Sequence, residues 1–76
     1  MVESLLLVEG TGVSQDALRS LSLRNAKQQV YGRFVDKGAV LHVAATTAAD
    51  LAQAVLDFSK VAGVKSVLTL AVRSAA

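Results

Sequence analysis

Residues 47–72 constrain this chain more than any other stretch. Thr47 with Asp50 three residues later resembles a capping box, Asp standing in for the usual Glu. Leu51, Ala54, Val55 and Phe58 follow at i, i+3, i+4 and i+7, which places all four on one helical face. Lys60 complements the negative helix end, and Gly63 supplies a left-handed residue to stop the helix. Behind it the sequence alternates. Val64, Ser66, Leu68, Leu70 and Val72 are expected to point one way, and Lys65, Val67, Thr69, Ala71 and Arg73 the other. A capped amphipathic helix feeding an alternating strand requires both α and β structure.

The remaining segments extend that pattern. Residues 4–8 form an apolar run stopped by Glu9-Gly10-Thr11-Gly12, which reads as a buried strand ending in a glycine turn. Ser14 can cap a short helix, with Asp16 at its positive end and Leu18 and Leu21 on its apolar face. Leu21-Ser22-Leu23 also alternates like a strand, so residues 18–23 admit a strand that turns at Asn25-Ala26-Lys27. Residues 28–35 read as a strand with Gly32 as a weak point or bulge, Asp36-Lys37-Gly38 as a hairpin turn, and residues 39–45 as the return strand. The order β-α-β-β-α-β predicts an α+β, ferredoxin-like sandwich, a four-stranded antiparallel sheet with two helices on one face.

Size and composition narrow the function. A chain of 76 residues makes one small domain, or a domain cut from a larger protein, and without cysteine it has no disulfide staples. With 53% hydrophobic residues and only one Tyr and two Phe, the core is aliphatic. A domain of this size buries only about 60% of its unfolded surface, so self-association as a dimer or larger oligomer is expected. The +2 charge comes from scattered basic residues interrupted by acids, which makes nucleic acid an unfavoured partner. Residues 5–8 fall far short of the ~20 apolar residues of a membrane span. Glu3 stands where a signal peptide would be basic. A cytoplasmic location is expected, or a periplasmic one if the chain is an excised assembly domain.

Two helices on one face leave the other face of the sheet uncovered. Val67, Thr69 and Ala71 are expected there, together with either Val40, His42 and Ala44 or Ala39, Leu41 and Val43. Neither set is charged, whereas a water-facing sheet normally carries polar residues. Val40, His42, Val67, Thr69 and Ala71 are therefore candidate interface residues.

Catalytic signals are sparse. His42 is the only histidine and has no carboxylate near it in sequence, and the serines have no nucleophile context. The carboxylates show no metal-ligand spacing, so neither a metal nor a cofactor is expected. Gly10, Thr11 and Gly12 before a helix start have some binding character, because glycines admit close backbone approach and free N–H groups attract anions. The expectation is a non-catalytic domain that binds a ligand or assembles with a protein, and not an enzyme.

Residues 32–36, 45–51 and 61–69 carry a resemblance to the ligand-sensing RAM domain of feast–famine transcription regulators, and more loosely to the ACT group. The shared features are the Gly32…Asp36 segment, the helix with its Gly63-Val64 step and a final strand bearing Thr69. The resemblance implies sheet-to-sheet dimers and a small amino-acid-like effector near Gly10, Thr11, Gly12 and Gly32. The spacing from Gly32 to Asp36 is one residue longer than that family's pattern, and the first helix is shorter. Residues 40–72 are also similar to BON domains, and the same grammar occurs in secretion and pilus assembly modules and in chaperones that bind signal peptides. Those resemblances imply a protein partner and no small ligand.

Overall fold

A computed structural model describes residues 1–34 and 38–74. The elements are β1 (Val2–Gly10), α1 (Gln15–Ser20), β2 (Ala26–Phe34), β3 (Gly38–Ala45), α2 (Ala48–Ser59) and β4 (Val64–Ser74). They form one antiparallel sheet in the order β2-β3-β1-β4, the expected ferredoxin-like topology. Asp36 and Lys37, part of the expected hairpin turn, lie outside the described residues.

Strand alternation builds the core. Even positions of β1 and odd positions of β3 turn toward the helices, so Leu6, Val8, Ala39, Leu41, Val43 and Ala45 meet Leu18 from α1 and Leu51, Ala54 and Phe58 from α2. Burying each of the larger side chains contributes about 1.5–3 kcal/mol. Both helices thus pack on one face.

Local chemistry sets the helix ends. Ser14 Oγ accepts from the Ala17 N–H, and α1 forms as a helix rather than the competing strand. Only six residues long, it has no glycine to close it. The Gln28 side-chain amide does so from β2, donating to the carbonyls of Leu18, Arg19 and Leu21 at 3.0, 3.2 and 2.6 Å. At α2, Thr47 Oγ1 accepts from the Asp50 N–H at 3.1 Å and donates to Asp50 Oδ2 at 3.0 Å. The carboxylate therefore engages the capping hydroxyl, not the backbone N–H that a longer Glu would reach. Gly63 does adopt positive φ (88°), but in a turn beyond the helix: α2 ends at Ser59, and the Val64 N–H donates to Val61 O at 3.1 Å.

Three bulges alter what alternation predicts. In β4 the register with β1 shifts between Leu5 and Leu6, which leaves Leu70 as an extra residue, and again between Glu9 and Gly10, at Lys65. β4 therefore does not alternate strictly, contrary to the pattern expected from its sequence. Val67 pairs with Val8 and packs on the core, and Thr69 pairs with Leu6 on the helix side. Ala71 pairs with Leu5 and Arg73 with Glu3, both on the opposite face. In β2 the shift falls between Val30 and Gly32, with Gly32 at φ 138° and Tyr31 as the extra residue.

Gln28→Ala should leave the α1 carbonyls without their donor and cost about 1–2 kcal/mol, on the order of 5–15 °C in Tm. Gln29→Ala, one residue along on the other face, should be near neutral in the same denaturation experiment.

Candidate functional site

The face away from the helices is laid out in rows by the strand register. At one end Lys27, Ala44, Glu3 and Arg73 lie across the four strands. The next row is Gln29, His42, Leu5 and Ala71. Val40, Leu7 and Leu68 follow, and Glu9 and Ser66 close the far end. Leu7 is only 8% exposed, yet it does not belong to the helix-side core; it sits between Val40 and Leu68 on this second face. Leu68, at the edge of the same row, is 47% exposed. The face is apolar across its middle, with charge at its two ends.

Three charged or titratable groups converge at one end. Arg73 Nη2 and Nε donate to Glu3 Oε2 at 2.5 and 3.2 Å, and His42 Nε2 stands 3.4 Å from Glu3 Oε1. The pairs follow from register: Glu3 lies directly opposite Arg73, and His42 opposite Leu5, one same-face step from Glu3. The Arg73 hydrogen bond holds the Glu3 carboxyl below its ordinary value of 4.5; partial desolvation opposes this, and attraction to Arg73 and His42 adds to it. The same hydrogen bond and the carboxylate's charge raise the Arg73 guanidinium.

The bulge in β2 turns Tyr31 toward this cluster, its ring centroid 6.2 Å from that of His42. Together with Leu5 and Ala71 these residues line an open depression of about 410 Å³. Ser4 borders it from below, but its hydroxyl is buried and donates to Ala71 O at 2.8 Å, satisfying a carbonyl beside the β4 bulge. Among the described residues no three His, Asp or Glu side chains stand where they could hold a metal ion. No helix among them is long and apolar enough to cross a membrane.

The residues singled out in the sequence divide into separate regions. Val40, His42 and Ala71 share the open face; Val67 and Thr69 belong to the helix side. Gly32 lies in the β2 bulge opposite Val40. Gly10, Thr11 and Gly12 lie at the far end of β1 from the charged cluster. A Cβ at Gly10 would stand 2.0 Å from Gly63 O, and the Thr11 N–H donates to that same oxygen at 3.0 Å. The close approach that Gly10 permits is thus occupied by the turn before β4, while Gly12 (φ 70°) faces open space. Glu3, Tyr31 and Arg73 are cluster members that sequence reasoning passed over. Residues 4–8 are a continuous apolar run, so the sequence of β1 does not show which face Glu3 takes, and nothing local relates residue 3 to residue 73.

No family model, curated protein or solved structure matches this chain.

Because Glu3 titrates lower in the folded protein than when unfolded, its pairing adds stability above the unfolded value, which is lost as pH falls through the folded one. In Arg73→Ala the Glu3 midpoint, followed by carboxyl NMR, should move upward and this acid-side loss of stability should shrink. An unchanged midpoint would remove Arg73 as the cause.

Proposed function

We propose that this is a non-catalytic association domain whose open sheet face packs against a second copy of itself, giving it a regulatory or assembly role through what it joins. One observation carries the reading: the face without helices is apolar across Leu5, Leu7, Val40, Leu68 and Ala71. Water-facing sheets normally alternate to polar residues there.

Area, shape and charge favour a second copy. Nine-residue strands at ~3.3 Å per residue, four abreast at ~4.8 Å, span about 19 by 30 Å. Two such faces bury on the order of 1,100 Å², enough for a specific interface. A twofold axis lying between the sheets and across the strands reverses the order of the rows. Leu68 and Val40 of the second copy then cover the depression over Leu5 and Ala71. The strand order is kept, so Glu9 of the second copy falls opposite Glu3, at the end where Lys27 and Arg73 leave one net positive charge, and both contacts occur twice, as an isologous interface requires.

Light scattering behind size exclusion, across a concentration series, tests the reading. The chain should form a dimer, and Leu68→Lys should weaken it by at least about tenfold by placing an unpaired charge in the interface. Thr69→Lys, one residue along on the helix side, should leave association near its original strength. A monomer at every concentration, or equal sensitivity of the two variants, would overturn it.

A further inference from the structure

We propose that the depression on the open face binds a small aromatic carboxylate, with the carboxylate on Arg73 and the ring between Tyr31 and a floor of Leu5 and Ala71. About 410 Å³ lies open there, within the range of small-molecule sites. The site belongs to a single chain, needs no second copy, and shares no residue with the glycine segment 10–12. Two bulges build it. In β2 the extra residue is Tyr31, beside Gly32 at φ 138°. In β4 it is Leu70, which brings Ala71 and Arg73 onto the open face. Both edge strands thus leave regular pairing beside the row of His42 and Leu5, and each delivers a side chain to the same depression. Neither side chain serves the core: Tyr31 is 57% exposed and the Arg73 side chain 78%.

The walls select the ligand. The Tyr31 and His42 rings stand 6.2 Å apart and tilted by 30°, an aromatic side that a third ring can join by offset or edge contact. Leu5 and Ala71 supply apolar surface beneath it. Arg73 Nε and Nη2 both donate to Glu3 Oε2, so one edge of the guanidinium is held in place. Its other edge, with Nη1 and the second Nη2 hydrogen, has no acceptor among the described residues. That edge matches a carboxylate through two parallel hydrogen bonds. Glu3 is committed to Arg73 and stands 3.4 Å from His42 Nε2, so it orients the donor and does not itself receive the ligand.

Amide NMR titration of the whole chain at low concentration, with sodium naphthoate as the probe, tests this. Saturable shifts should concentrate at Leu5, Tyr31, His42, Ala71 and Arg73. Naphthylmethanol, which lacks the charge, should bind at least about threefold more weakly, the scale of an exposed charge pair. Arg73→Gln should remove that preference, whereas Lys65→Gln, at the far end of β4, should keep it. The saturated decalin carboxylate should bind about twofold more weakly than naphthoate, and Tyr31→Leu should erase the difference. No saturable shifts, equal binding of the two naphthalene compounds, or a preference that survives Arg73→Gln would overturn the site and leave the sheet-face reading standing. A second copy seated as above would lay Leu68 and Val40 on the same floor, so on that reading saturating naphthoate raises the dimer's dissociation constant by at least about threefold. Dimers indifferent to naphthoate bound as described, or such binding by a chain that is monomeric at every concentration, would support the site and overturn only the sheet-face seating.

Discussion

The packing of one amphipathic helix over the two central strands is the constraint on which the rest of this molecule depends. Phe58, Leu51 and Ala54 of α2 close over Leu6, Val8, Leu41 and Val43, with Leu18 the buried contribution of the six-residue α1. A single twelve-residue helix cannot shield the whole sheet. Edge strand β4 therefore keeps Leu70 and Val72 more than half exposed, and the far face of the sheet has no cover within the described residues. Economy of helix thus accounts both for the small size of the domain and for its surplus of accessible apolar surface.

The backbone at the end of β1 holds that arrangement in register. Gly10 lies so close to Gly63 that a side chain there would collide with its carbonyl, and the Thr11 N–H takes up the same oxygen. The turn leaving α2 is thereby joined to the exit of β1, which fixes where β4 begins. From that point the bulges at Lys65 and Leu70 decide which β4 side chains reach which face. Without the second bulge, Arg73 would stand on the helix side and Glu3 would have no guanidinium opposite it.

The open face combines two kinds of surface in one plane. Its middle is aliphatic, and its ends carry opposite charge, with a histidine placed where the two meet. Such a layout suits the proposed association with a rotated second copy: the apolar rows coincide, and the end of net positive charge meets the end that carries Glu9. Glu3 links the parts, since its carboxylate is shared between the arginine of one neighbouring strand and the histidine of the other.

Much of the architecture was legible in the residues. The Ser14 and Thr47 caps, the Leu51–Phe58 stripe, the glycine before β4 and the alternation of β3 are local signals, set by hydrogen bonds and side-chain periods within a few residues, and they determined the order of elements and the ferredoxin-like sandwich. Val40 and His42 could be placed on a common face for the same reason. Tertiary structure alone decided what faces what on β4, because a bulge depends on the partner strand and moves Val67 and Thr69 to one side and Ala71 and Arg73 to the other. It also decided that Gln28 closes α1, and that Glu3 meets Arg73 across 70 residues of chain. Local propensity specifies each strand and helix, but a contact between distant residues exists only once the register of the sheet has been chosen, and that choice is made by the packing of the whole core.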